Sequence, residues 1–264
     1  MEAMCARALE LGLTHYTITD HCECDQYDGA PEFGNQKYRE SVPRSYAQQL
    51  ENQARFPQLC FLRGIELGQA VQNCIAAEDA LSGRSYDVVI GSLHNLAGMK
   101  DFYFLGQQAS LSENDLDRLY HQYFQEIYAT LEWGKFDTLA HITYPLRYFY
   151  QPGEKTSFAK YQNEVDAIFK KIIADGKALE FNSSRLLRPD APILPDWEIF
   201  TRYKELGGTR ITLGADAHRP QDIAKGIPEA LDMLRAIGFT EYTVFIGRKP
   251  HQIPIEYIPD GERK

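Results

Sequence analysis

No apolar stretch in this chain approaches the ~20 residues that a membrane-crossing helix needs. The first residues also lack a basic segment followed by a long apolar core, so no secretory leader is expected. Positive charge is in deficit, 28 Lys and Arg against 37 Asp and Glu, for a net charge of −9. That balance disfavours a nucleic-acid backbone as partner across the whole surface, although a bound metal can attract phosphate locally whatever the overall sign. The five cysteines (Cys5, Cys22, Cys24, Cys60 and Cys74) are odd in number and unevenly spaced, unlike a disulfide framework. They fit a reduced, cytoplasmic setting. Cys22-Glu23-Cys24 has no second cysteine pair at zinc-ribbon spacing, which disfavours it as a metal site. Gly-rich phosphate loops, a Walker pattern and a Ser-His-Asp order are all missing. So are repeats, low-complexity segments and linkers, and residues 1–264 are read as one domain, a length that an α/β barrel accommodates.

What the chain does have is alternation. A helix from Met1 to Leu11, stopped by Gly12, feeds a short strand, Tyr16–Thr19, with Asp20 and His21 at its end. A long polar and aromatic loop follows from Cys22 to Tyr46, then a helix over Ser45–Phe56. Strands are expected at Cys60–Leu67, Asp87–His94, Phe136–Ala140, Ala178–Asn182, Arg210–Leu213 and Tyr242–Ile246. Helices are expected at Val71–Leu81, Ser112–Trp133, Ser157–Asp175, Asp196–Leu206 and Gln221–Ile237, and a second aromatic loop at Asn95–Ser110. Ser112 and Asp115 have capping-box spacing, and Gly134 stops that helix. Seven strands interleaved with helices argue for parallel βαβ units, as a barrel or a large open sheet. The helix ahead of the first strand is odd, since it has no strand to cross over from.

In parallel barrels, chemistry collects where strands end. Here those ends carry His21, Glu66, His94, His141, Asn182 and the Asp216/His218 pair. In an extended segment, residues two apart face one way, so Asp216 and His218 are expected to converge. Four of seven histidines fall just past separate strands, whereas His15, His121 and His251 fit surface roles. Imidazoles with one or two carboxylates suit Zn²⁺, Mn²⁺ or Fe. Such ions activate water for in-line attack on phosphorus.

At this point the motifs resemble a known family. Thr19-Asp20-His21, Gly64-Ile65-Glu66, Gly91-Ser92-Leu93-His94, Ala140-His141 and Gly214-Ala215-Asp216-Ala217-His218 are similar, in order and spacing, to the successive motifs of the PHP (polymerase and histidinol phosphatase) superfamily. Within it, Ile90-Gly91-Ser92-Leu93-His94, His141-Ile142-Thr143-Tyr144-Pro145 and Leu179-Glu180-Phe181-Asn182-Ser183-Ser184 resemble the histidinol-phosphatase branch. The resemblance implies a distorted TIM-like (β/α)7 barrel, up to three divalent metals (Zn, Mn or Fe), and hydrolysis of L-histidinol phosphate, a small substrate of histidine biosynthesis. By position, Glu66 would bridge two metals, with His94 and His141 completing the second. His21 and His218 would bind a third. Asp216 would be a ligand of the first and would orient the attacking water. Arg188, with Arg147 and Asn182 as lesser candidates, would grip the phosphate. Glu66, Asp216 and His218 are thus the expected catalytic residues.

The sequence departs from that family in one way: relatives open on a strand ending in His-x-His, and this chain contains no such triplet. The barrel is then expected to miss its first strand, fewer metals are expected, and Glu66/His94/His141 is the one complete pocket. Weak or no catalysis is expected of the chain as it stands, and activity with a longer N-terminus. Two other readings stay open, a phosphoesterase of nucleotides, sugars or phosphotyrosine, and a catalytically impaired metal-binding protein that keeps the fold.

Overall fold

The computed structural model describes residues 1–24, 37–108, 111–149, 158–187 and 197–256. In chain order the elements are α1 (Glu2–Glu10), β1 (His15–Glu23), α2 (Tyr38–Arg55), β2 (Cys60–Gly68), α3 (Cys74–Leu81), β3 (Val88–Ser92), α4 (Phe102–Gln108), α5 (Glu113–Trp133) and β4 (Thr138–Leu139). They continue with α6 (Leu146–Phe149), α7 (Gln162–Ala174), β5 (Ala178–Asn182), α8 (Trp197–Glu205), β6 (Ile211–Gly214), α9 (Ile227–Ile237), β7 (Glu241–Ile246) and β8 (Lys249–Pro254). Strands β1 to β6 form one parallel sheet in sequence order. The sheet curls into a half-barrel, so that β1 and β6 line opposite sides of a 610 Å³ cavity.

Strand periodicity decides what that cavity contains. The register aligns Thr19, His21 and Glu23 of β1 with Gly64, Glu66 and Gly68 of β2. It then carries the same face through Val88 and Ile90 of β3, Thr138 of β4, Glu180 and Asn182 of β5, and Thr212 and Gly214 of β6. The alternate residues, Ile65, Leu67, Val89, Leu139, Leu179, Phe181 and Ile211, are buried in the main core against α5, α7, α8 and α9. The concave face therefore carries most of the sheet's polar side chains, with Val88 and Ile90 among them, and the convex face is apolar. Fully buried parallel strands usually read as continuous hydrophobic runs; these alternate, because their inner face surrounds a cavity instead of a core. A smaller cluster, Cys5, Ala8, Leu59 and Phe61, seats α1 beside Tyr16 and Ile18 of β1.

Several expectations need correction. Tyr242–Ile246 is a strand but not a seventh member of the parallel sheet; it pairs antiparallel with β8, a segment whose prolines and exposed polar residues hid it. The β7–β8 turn has positive φ at both Gly247 and Arg248, the arrangement that suits the twist of a two-residue hairpin. Helix α2 begins at Tyr38, well inside the stretch read as a loop, and contains Pro43; burial of Tyr38 and Val42 outweighs that helix-breaking residue. The part of the loop over residues 25–36 lies outside the described residues. Helix α4 occupies much of the second expected loop, with Phe102 fully buried. The N-termini of three other expected helices are 3-10 turns, Ala70–Gln72, Phe158–Tyr161 and Pro220–Asp222, rather than continuous helix. The α5 reading needs no such change: the Ser112 hydroxyl oxygen accepts from the Asp115 N–H, and Gly134 is left-handed at φ 71°.

The hairpin plugs the amino end of the half-barrel. Phe245 packs on Val88 and Ala178, while Asp87 accepts the Gly247 N–H at 3.0 Å and the Arg63 N–H at 2.9 Å. The buried Asp137 carboxylate accepts the Val89 N–H at 2.7 Å and also pairs with Arg248. Removing a carboxylate that serves a buried N–H and a cation leaves both unmatched, a cost of about 1–3 kcal/mol. Asp137→Ala is expected to lower the unfolding free energy measured in urea by that amount while leaving zinc affinity unchanged, because Asp137 lies at the opposite end of the sheet from the histidines. Equal loss of both would show that the two ends are not separable.

Candidate metal centre

The carboxyl rim of the sheet gathers side chains from all six strands. On β1, His21 and Glu23 share the concave face by the two-residue repeat. Glu66, one register step away on β2, is buried. His94 lies just past β3 and His141 just past β4, both buried. Glu66 Oε1 is 3.1 Å from His94 Nε2 and 3.2 Å from His141 Nε2, and the two Nε2 atoms are 3.3 Å apart. The other Glu66 oxygen lies 3.3 Å from His21 Nδ1. Glu23 Oε1 is 3.1 Å from His94 Nδ1 and 3.4 Å from His21 Nδ1.

Those spacings fit a metal ion. Zinc–nitrogen and zinc–oxygen bonds of about 2.0–2.1 Å in a tetrahedral shell put neighbouring donor atoms roughly 3.3 Å apart. A hydrogen-bonding account of the same triangle is incomplete. Two imidazole nitrogens facing each other need one proton between them, and Glu66 can supply none when ionised. The far nitrogen of His141, Nδ1, is buried with no hydrogen-bond partner. His21, Glu66 and His94 likewise present donor atoms within 4.8 Å of one another. The site lies open to the cavity, so an ion has a way in.

Without an ion the cluster is held by opposed charges. Glu66 raises His21 to about 9 against the effect of burial, with Glu23 adding to it. Burial works against charge on Glu23, yet His94 and His21 pull its carboxyl down to about 2. Burial also opposes charge on Glu66 and on His94, and in both cases the neighbouring partners win, leaving Glu66 well below and His94 well above their ordinary ranges. Strong mutual perturbation of this kind in a cleft marks a functional site more often than a structural one.

The remaining expected residues lie around this centre, with one change of reason. Strand β6 stops at Gly214, and Asp216 adopts φ 51°, so Asp216 and His218 do not converge through an extended segment. A left-handed turn brings them together instead, a conformation that Asp tolerates better than most residues. His218 Nδ1 then sits 3.6 Å from Asp216 Oδ1 and its ring 6.0 Å from that of His21, although its side chain is 70% exposed. Asn182 donates to Asp216 at 3.4 Å. The Arg147 side chain is 7% exposed, with Nη1 3.6 Å from Asp216 Oδ2 and a buried Nε without a hydrogen-bond partner. Arg188 lies outside the described residues.

Two residues at the centre escaped the sequence reading. Glu23 did so because β1 was expected to end at Thr19, four residues early; carried two residues past His21, the same alternation finds it. Glu180 sits on β5 two residues before Asn182, and therefore on the same face. It is buried, burial raises its carboxyl above the usual range, and it accepts the His141 N–H at 2.9 Å. Cys22 and Cys24 are buried on the opposite face of β1, with sulfurs 3.9 Å apart, away from the histidines.

Residues 1–184 match the PHP domain family. A probable histidinol-phosphatase of Thermotoga maritima is 31% identical over 192 residues, 70% of this chain and 79% of that protein. The histidinol-phosphatase of Lactococcus lactis is 22% identical over 243 residues, 92% of this chain and 87% of the other. Among solved structures, histidinol phosphate phosphatase from Lactococcus lactis, complexed with zinc, L-histidinol and phosphate, shares the fold at a TM-score of 0.76 and 21% identity, over 94% of this chain and 91% of that one. A family match over most of the chain, with the rim residues of six strands brought to one place, makes this protein a member of the PHP family.

Proposed function

We propose that the chain is a metal-dependent phosphatase that hydrolyses L-histidinol phosphate to histidinol and inorganic phosphate. The observation that carries this reading is the triangle of Glu66 Oε1, His94 Nε2 and His141 Nε2, each 3.1 to 3.3 Å from the next. The naming of the relatives as histidinol-phosphatases supplies the substrate.

Glu66, His94 and His141 would hold one divalent ion, zinc by analogy with the Lactococcus lactis structure. His21, with the second oxygen of Glu66 and with His218, offers donors for a further ion. Bound there, a divalent cation supplies positive charge to the phosphoryl oxygens and lowers the pKa of water. The chain's own residues do the rest. Asp216, which burial and Glu66 push upward but His141, Arg147 and His218 bring below the usual range, is an ionised acceptor able to orient water toward phosphorus. Arg147, with a buried and unpartnered Nε, is placed to bind the phosphate; Asn182 steadies Asp216. Arg188 remains a proposed phosphate contact on sequence grounds alone. Water adds to phosphorus, the P–O bond to the substrate alcohol breaks, and the alcohol leaves with a proton.

A second reading, metal binding without turnover, is favoured by the open side of the half-barrel between β1 and β6, which leaves Asp216 and His218 next to a broad cavity. Phosphate release from L-histidinol phosphate, with nucleotide, sugar and phosphotyrosine controls, separates the readings. Turnover that chelator abolishes and zinc or manganese restores is expected, with Glu66→Ala losing at least about 10²–10³-fold in kcat/KM. A chain that binds zinc and releases no phosphate belongs to the second reading.

Arg147 gives a finer test. Arg147→Met is expected to raise KM for the phosphorylated substrate by about tenfold or more, the size expected when a charged hydrogen bond to phosphate is lost. Unchanged KM would remove Arg147 from the phosphate site.

Metal uptake should also be visible in protons. His21 titrates at about 9 and His94 well above its ordinary value, so both rings are charged near neutrality in the metal-free protein. Ligation takes the neutral ring. Zinc binding at Glu66, His94 and His141 is thus expected to release about one proton, from the His94 imidazolium, with a second where His21 also takes an ion, and to strengthen as pH rises above neutrality. Calorimetry in buffers of different ionisation enthalpy measures this; the absence of proton release would contradict the assigned donors.

A further inference from the structure

Glu23 has no part in the ligand set above, yet its placement is specific. It stands opposite Gly68 in the β1–β2 register, and a Cβ at Gly68 would overlap the Glu23 carboxylate. The missing side chain lets that carboxylate cross β2 and reach the ring of His94, which follows β3. There Oε1 and Oε2 lie 3.1 and 3.4 Å from Nδ1. The opposite nitrogen of the same ring, Nε2, points at Glu66 and His141. One imidazole is therefore clasped between a carboxylate and a converging donor set. His141, by contrast, has no hydrogen-bond partner on its Nδ1 and is held through its backbone N–H by Glu180.

We propose that Glu23 is a positioning residue that accepts the Nδ1–H of His94, fixing the tautomer whose Nε2 lone pair faces the metal. An ionised carboxylate can only accept, so the contact places the proton on Nδ1. The same acceptor makes Nε2 a stronger donor, as carboxylate partners of metal-bound histidines do elsewhere. Glu23 also lies 3.4 Å from His21 Nδ1, so it steadies two of the rings from one side. The role rests on the metal-site reading, and the experiment keeps the two apart.

Zinc affinity is measured by chelator competition on wild-type protein, Glu23→Ala and Glu23→Gln, with circular dichroism confirming the fold of each. Histidine ¹⁵N–¹H correlation spectra of the zinc-loaded samples read the tautomer. The expected result is a zinc Kd about 10–100-fold higher in Glu23→Ala, the usual cost of losing an outer partner. Glu23→Gln, whose amide oxygen still accepts the proton, should recover most of that affinity and keep Nε2 ligation. In that variant the His94 Nδ1–H resonance should move upfield, because a neutral acceptor replaces a charged one; this readout stands even if the alanine variant does not fold. Unchanged affinity and spectra in the variants would overturn the proposal. Glu23→Gln as weak as Glu23→Ala would overturn it too, by making Glu23 a direct ligand. A wild-type chain that binds no zinc would instead refute the metal-site reading itself.

Discussion

Everything at the rim depends on one buried carboxylate meeting three rings. Glu66 brings two oxygens into a pocket where water is scarce, and His21, His94 and His141 all approach those oxygens to between 3.1 and 3.3 Å. An isolated carboxylate in such surroundings would be expelled or protonated. Protons on the rings or a cation among them resolve the problem, and the two solutions exclude each other. The first is why Glu66 is drawn below, and His94 above, its ordinary range. The geometry that tolerates the protons is also the geometry an ion requires, so the scaffold loses little by exchanging one for the other.

The half-barrel makes this arrangement possible by turning its polar face inward. Each strand contributes residues of one parity to the cavity and the other parity to the helical core. The core side is rigid and apolar, and it fixes the backbone from which the histidines project. At the far end, Asp87 and Asp137 tie the β7–β8 hairpin to the sheet. The chemistry and the fastening thus sit at opposite ends of the strands.

Much of this was legible in the sequence, but unevenly. The α5 helix carries its own start and stop, Ser112 and Gly134, and needs no tertiary help to be placed. His94 and His141 were readable because each follows an apolar, β-prone run. Glu23 was not, because Asp20, His21, Cys22 and Glu23 have little strand propensity of their own. They are extended only because β2 continues alongside them to Gly68, a long-range pairing that no local pattern announces. The first turns of α2, before Ser45, hid behind Pro43 and polar residues, and α4 behind its aromatics. The N–H of Tyr103, bonded to Asp101 at 2.7 Å, is the start signal that the α4 stretch did contain. Asp216 and His218 were grouped for the wrong reason: alternation suggested it, but a left-handed turn achieves it.

The two sides of the rim also differ in a way that orders their tasks. Glu66, His94 and His141 are buried, so electrostatic attraction for a cation is strong there and little side-chain freedom remains to be lost on binding. His218 stands mostly in solvent, tethered to Asp216 by contacts of 3.0 and 3.6 Å. A donor of that kind must be ordered by the ion it receives, in a medium that screens their attraction. On the proposed reading, the buried triangle fills first, and its charge then favours phosphate beside Arg147. Affinity would reside on the dry side and turnover on the wet one, and the open edge between β1 and β6 bears on the second much more than on the first.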